Sequence, residues 1–386
     1  MDWLKTAVYY AAFITIGLAS AILGPTLPAL ANNTGTIVGE IGYLFTARSL
    51  GYMVGSIFGA RLFDRVPGHR LMAAMVVAIA ALLALVPTIG QIWLLTAVLF
   101  LTGLAENMVD VGGNTLIVWV HREKVGPFMN GLHFFFGVGA FLSPIVVAQV
   151  LLHSGGAAWA YWLLALVVLP VAPFLALLPS PTAVSSHTDQ PTQSTSRQTN
   201  LPLILLIMAF LFLYVGMEIG FGGWAFTYAT TLGLVEETAA AYLTSAFWGA
   251  LTAGRLLSIP LAARLRPRTI LLLDLVGALV SISLVIIWQN SAAALWIGAI
   301  GLGFFFASIF PTTLALTERR MTITGQITGW LFVGASLGGA VLPWLMGILL
   351  NSVAATAVLW TILIALLLSV GLLSLIVRYE KVKLRM

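Results

Sequence analysis

Glu106, Asp110 and Asn114 follow one another at intervals of four inside an otherwise apolar run, residues 91–119. On a helix that spacing stacks two carboxyls and an amide on one face. Asn130 and His133, three residues apart, open the next apolar run on a common face of their own. Arg48, Glu218 and Arg255 stand as single charges in further apolar runs. A charge inside hydrocarbon costs at least ~2.5–3.5 kcal/mol, so each marks an ion or substrate path by default. At about 1.5 Å rise per residue, Arg48 and Glu106 lie at nearly equal depth, ~22 and ~20 Å from the basic ends of their runs. A structural ion pair between them is expected. Asp110, at ~14 Å, is then the carboxylate left without a cation. A carboxyl taken out of water resists ionisation, the property a proton-coupling residue needs. The alternatives are a second partner for Arg48 or a helper of His133, at ~9 Å. Glu218 and Arg255 differ by ~10 Å in depth, so no direct pair is expected unless the arginine snorkels.

Other chemistry is excluded by what the chain lacks. It has no cysteine, so thiolate metal sites, disulfides and cysteine nucleophiles are ruled out. The remaining histidines, His69, His121, His153 and His187, fall in loops or at rims with no metal-ligand spacing. No catalytic residue, metal centre or organic cofactor is expected, and the chain reads as a non-enzyme.

The elements that must hold these groups follow from composition. Of 386 residues, 60% are hydrophobic and 8% charged, against about 45–50% and about 25% in a soluble domain. Such a chain could not cover a water-facing surface, which leaves a polytopic membrane protein. Twelve stretches are long and apolar enough to cross a bilayer as helices: 4–30, 36–63, 70–87, 91–119, 127–153, 157–178, 201–230, 236–263, 268–288, 292–317, 324–350 and 354–378. The runs are continuous rather than alternating, which excludes a barrel. Ala29-Leu30-Ala31 imitates a signal-cleavage site, but the preceding run is too long for one.

With the N-terminus inside, sixteen of the eighteen Lys and Arg residues fall at cytoplasmic ends, loops or tails, and the opposite loops hold none. The positive-inside rule then puts both termini in the cytoplasm, in the plasma membrane (the inner membrane of a bacterium). The net charge of +5 records topology, so no nucleic-acid partner is expected. Asp274 reads as an interfacial partner for Arg264, Arg266 and Arg268. Trp3, Trp93, Trp159 and Trp288 read as belt residues at span ends.

Residues 179–200 are rich in Pro, Ser, Thr and Gln and form a flexible cytoplasmic linker between domains 1–178 and 201–386. A shift of 199 residues, 198 in the fourth and tenth spans, superposes the halves, pairing Gly17 with Gly216, Gly55 with Gly254, Gly139 with Gly338 and Pro144 with Pro343. Six spans per half give both halves the same orientation, related by an axis along the membrane normal, with a site between them. The second-half counterparts of Arg48, Glu106, Asp110 and His133 are Phe247, Phe304, Ser308 and Phe332. The first half is expected to carry ion coupling, and the second an apolar-aromatic wall. Trp248, near mid-span, could stack on a sugar; packing is its alternative role.

This plan resembles the major facilitator superfamily: an all-α membrane protein of twelve transmembrane helices in two parallel-related six-helix bundles. The segment from Gly59 to Arg70 resembles the family's loop motif, which implies a cytoplasmic gate at Asp64 and Arg65. Within the family the chain is most similar to the fucose permease and sodium-dependent glucose transporter group. The residues that carry this are Asp110-Val-Gly-Gly-Asn114, Asn130-Gly-Leu-His133, Tyr214-Val-Gly-Met-Glu218 and Trp248-Gly249. The resemblance implies a monomeric, cation-coupled sugar symporter, with Asp110 and Glu106 at the coupling site. Asn114, Asn130, His133, Glu218 and Trp248 would face a small-molecule substrate. The permeases' second acid, in helix one, is replaced here by Gly24, which leaves H⁺ and Na⁺ both open as coupling ion. A proton-driven exporter of lipophilic drugs or lipids is the alternative.

Overall fold

A computed structural model describes residues 2–63, 65–154, 156–181, 201–321 and 325–383. The first half contains α1 (Asp2–Ala21), α2 (Leu23–Thr34), α3 (Tyr43–Phe63), α4 (Gly68–Leu85), α5 (Ile92–His121), α6 (Val125–Ser154), α7 (Ala158–Val168) and α8 (Val171–Leu177). The second contains α9 (Leu201–Thr231), α10 (Glu237–Arg264), α11 (Pro267–Ile287), α12 (Ala292–Phe306), α13 (Ile309–Glu318), α14 (Gly325–Ser352) and α15 (Ala357–Lys383). No strand occurs among the described residues. Every expected span is therefore a helix or a pair of successive helices.

Eleven of these helical segments are long and apolar enough to cross a membrane. α3 falls short of that apolarity, since it carries Arg48, Arg61 and several small polar residues. It packs between α5 and α14.

Three spans are broken into two helices, and each break has a proline four residues on. Pro25 follows Ala21, Pro173 follows Leu169 and Pro311 follows Ala307. A proline ring clashes with the carbonyl four residues earlier and removes its hydrogen bond. At the α12–α13 break Pro311 leaves the Ala307 carbonyl without its helical donor, and the adjacent Phe306 carbonyl accepts from the Tyr214 hydroxyl at 2.9 Å.

The packing scheme repeats between the halves. α1 lies on α6 and α9 on α14; α3 lies on α5 and α10 on α12; α4 and α11 each cover the same neighbours in turn. Glycines set the closest approaches. A Cβ at Gly139 would stand 2.2 Å from Ile14 O, and one at its counterpart Gly338 would stand 1.9 Å from Phe212 O.

Between the halves, α3 meets α14, α6 meets α10 and α2 meets α9. These contacts lie on the side away from the termini. Thr46 Oγ1 donates to Ala340 O at 2.6 Å, Ser245 Oγ donates to Phe141 O at 2.5 Å, and Gln149 bonds the Tyr242 hydroxyl. Toward the termini Asn130 and His133 of α6 and Leu256 of α10, on the faces that meet farther along, are exposed. The halves thus enclose a cleft that opens on the face bearing both termini. Trp3, Trp93, Trp159 and Trp288 are exposed at helix ends, where belt residues belong.

Candidate functional site

Two polar clusters flank the cleft. The first is built by α1, α3 and α5. Arg48 and Tyr52, four apart on α3, face Glu106 and Asp110, four apart on α5, like two rungs of a ladder. In the first rung Arg48 Nη2 and Nε donate to Glu106 Oε2 at 2.6 and 2.9 Å. The Arg48 guanidinium also reaches Ser20 of α1, bonding its hydroxyl and, at 3.4 Å, its carbonyl. The expected ion pair is present and tied to a third helix. Glu106 is fully buried.

In the second rung the Tyr52 hydroxyl donates to Asp110 Oδ2 at 2.5 Å. Asn114 Nδ2 donates to Asp110 Oδ1 at 2.8 Å. Asp110 is half-buried and is held by two neutral donors. Tyr52 and Ser20 were not singled out from sequence. A tyrosine and a serine in apolar helices read as packing, although Tyr52 sits four residues from Arg48 just as Asp110 sits four from Glu106.

The second cluster lies across the cleft. Arg255 Nη2 is 3.5 Å from Glu218 Oε1. Depth along straight helices allowed this pair only if the arginine side chain reached along the span, and the two side chains do meet. The pair is looser and wetter than the first, with side chains 21% and 12% exposed, against 14% and 0% for Arg48 and Glu106. Tyr214, one turn before Glu218, lies beside its carboxylate. His133 of the first half stands close enough to Arg255 to interact with it electrostatically. One turn above His133, Gly137 touches Thr252 of α10, so His133 and Asn130 lie on the α6 face that looks toward the second half. The His133 ring also meets Phe13 edge-on at 6.1 Å.

Three further expectations meet a different structure. Asp274 does not reach toward the basic loop; it is 7% exposed and accepts a bond from Ser308, the counterpart of Asp110. His69 is not a rim residue. It is buried, bonded to the Tyr9 hydroxyl at 2.6 Å and to Leu178 O at 3.0 Å, and its backbone N–H meets Ser180 Oγ at 3.0 Å. These bonds fasten the start of the interdomain segment to α4. Of the aromatic counterparts, Phe247 is fully buried against Phe221 and Phe306, while Phe304 and Phe332 are each 40% exposed. Trp248 is buried against Gly222, and its Nε1 has no hydrogen-bond partner. Arg65 is exposed; Asp64, His187 and residues 182–200 lie outside the described residues.

Residues 9–343 match the Major Facilitator Superfamily. The chain belongs to that superfamily. It is 35% identical to sodium-dependent glucose transporter 1 of Danio rerio, over 91% of this chain and 65% of that protein. Against sodium-dependent glucose transporter 1A of Mus musculus it is 32% identical, over 88% of each. The D-xylose-proton symporter superposes with a TM-score of 0.77 at 13% identity, covering 96% of this chain and 97% of the other. The nucleoside transporter NupG gives 0.76 at 14%, covering 97% and 99%. These likenesses show the fold. As a superfamily member the chain is a multi-pass membrane transport protein acting on a small molecule, not an enzyme.

Proposed function

We propose that this chain is a cation-coupled symporter of a monosaccharide or similar small polar solute, working by alternating access. The observation that carries the reading is the asymmetry of the two α5 carboxylates. Glu106 is neutralised by Arg48, whereas Asp110, one turn closer to the cleft mouth, has only neutral donors. A lone carboxylate in a membrane interior is stabilised by taking up a cation, and that gain can be linked to substrate binding and closure.

Asp110 is assigned the coupling role, with Glu106 as its neighbour fixed by Arg48. Asn114, Asn130, His133, Glu218 and Trp248 are assigned to the substrate. Amides, an imidazole and a carboxylate supply both donors and acceptors, as a polyol requires. The similarity to relatives named sodium-dependent glucose transporters supports the sugar assignment. Residues 1–178 and 201–386 act as the two rocking bodies of a monomer, joined by 179–200, with Asp64 and Arg65 at the cytoplasmic gate. With both termini cytoplasmic, the cleft described here faces inward.

Uptake of labelled monosaccharides into proteoliposomes, with H⁺ and Na⁺ gradients imposed separately, tests this. Accumulation above equilibrium under one gradient is expected. Equal uptake with and without either gradient would contradict coupling, and transport of lipophilic compounds alone would favour an exporter.

A further inference from the structure

Trp248 carries a donor that the fold leaves unused. Trp224 Nε1 donates to Pro343 O at 2.8 Å, and Trp162 Nε1 donates to Ala84 O at 3.1 Å. Trp248 is 8% exposed, yet its Nε1 is buried with no hydrogen-bond partner. A buried indole N–H ordinarily finds an acceptor, because leaving water without one is costly. The same burial bears on the stacking role that a mid-span position suggests. A sugar stacked on an indole needs a free ring face, and so little exposed surface does not provide one.

Distances place the donor at the closed end of the cleft. A Cβ on Gly222 of α9 would stand 2.7 Å from Trp248 Cζ2 and 3.1 Å from Cε2, the carbon bonded to Nε1. The N–H edge of the ring therefore lies against α9, where the glycine leaves it room. Glu218 stands one turn before Gly222 on the same face of α9, nearer the cleft mouth. Its partner Arg255, at 3.5 Å, lies two turns along α10 from Trp248. On either side of Trp248 the halves are closed. Ser245 Oγ donates to Phe141 O at 2.5 Å, and a Cβ on Gly137 would stand 2.3 Å from Thr252 Oγ1. From the first half α2 also closes on Gly222, since a Cβ on Gly24 would stand 2.7 Å from Gly222 O. Trp248 thus forms the roof of the cleft, with the Glu218–Arg255 pair beneath it.

We propose that Trp248 is a specificity-determining residue whose Nε1–H bonds a hydroxyl or ring oxygen of the solute at the roof of the cleft. The proposal rests on the monosaccharide reading above and deepens it. An indole nitrogen donates and never accepts, whereas the Glu218 carboxylate only accepts. One position of the solute ring must therefore carry an oxygen acceptor, and a bare carbon or an ammonium group there is refused. A directed bond takes the place of stacking, and Gly222 sets where the donor stands.

The test is a cycle of variants and analogues on the purified full-length protein. It is read as displacement of labelled D-glucose, or of whichever monosaccharide the uptake assay selects. Trp248→Phe keeps an aromatic ring and removes the donor. Replacement of Trp248 by benzothienylalanine keeps the indole shape and puts sulfur in place of the N–H, so it holds where the smaller ring disturbs folding. The analogues are the monodeoxy forms of the sugar and its carba form, in which a methylene replaces the ring oxygen. Losing the donor should weaken the parent sugar by about 10-fold, the worth of one hydrogen bond. A single analogue should be weakened to the same extent against the wild type and should lose nothing further in either variant. Equal loss for every analogue would make Trp248 an element of shape alone. That result, or parent binding unchanged by the sulfur isostere, would overturn the donor role and leave sugar symport standing. A protein that binds no monosaccharide and accumulates none under either gradient would overturn the functional reading and this role with it.

Discussion

Arg48 and a fully buried Glu106 bind each other, so removing one partner strands the other. Glu106→Gln should lower stability by about 3–5 kcal/mol, the cost of an uncompensated buried charge, seen as a fall in melting temperature in detergent. A variant that melts normally but does not transport would show that Glu106 acts in function and not in scaffolding. Glu218→Gln should behave oppositely, because the Arg255 contact is long and partly exposed. A stability change of about 1 kcal/mol or less is expected, together with weaker sugar binding, measurable by competition against labelled substrate. The first pair was legible in the sequence because equal depth on neighbouring helices is nearly sufficient for pairing. The second was legible only on condition that the arginine side chain reached along the span, which arithmetic along one axis omits. Tyr52 was hidden for another reason: a hydroxyl on an aromatic ring in an apolar run carries no signal until its partner is placed opposite.

Helices α3 and α5 approach through Gly51, Gly55 and Gly103. A Cβ on Gly51 would stand 1.9 Å from Phe100 O, and one on Gly103 would stand 2.0 Å from Arg48 O. Backbone cannot yield as a side-chain tip can, so Gly51→Ala should cost at least about 1–3 kcal/mol by overpacking. It should also displace Tyr52 from Asp110. Gly371→Ala is the control: nothing lies within 4 Å of its Cβ position. It should be neutral or stabilising, since Gly in a helix costs about 0.5–1 kcal/mol relative to Ala. Equal melting temperatures for the two variants would refute the close-approach account. Eleven spans are readable from hydropathy alone, but the interruptions are not readable from proline alone, because Pro144, Pro260 and Pro343 lie inside unbroken helices. Which glycines are packing points was only half visible. The repeat offset exposed Gly55 and Gly139, while Gly51 has Ala250 as its counterpart and gave no such signal.

Across the whole molecule, the halves touch on the side away from the termini and part on the other. This arrangement is absent from the sequence, because a transporter visits both closures with the same residues. It can be locked. The chain has no native cysteine, and a Cβ on Gly339 of α14 would stand 3.4 Å from Ser49 Oγ of α3, close to disulfide reach. Oxidising the Ser49→Cys, Gly339→Cys double variant should arrest transport, and reduction should restore it. Undiminished transport in the cross-linked protein would mean that α3 and α14 do not separate during the cycle.

The central claim is that Asp110 couples cation binding to solute movement, and Asp110→Asn tests it most directly in proteoliposomes. The account predicts that this variant exchanges labelled for unlabelled sugar across the membrane but no longer accumulates sugar under an imposed cation gradient. Accumulation at the wild-type level would contradict it.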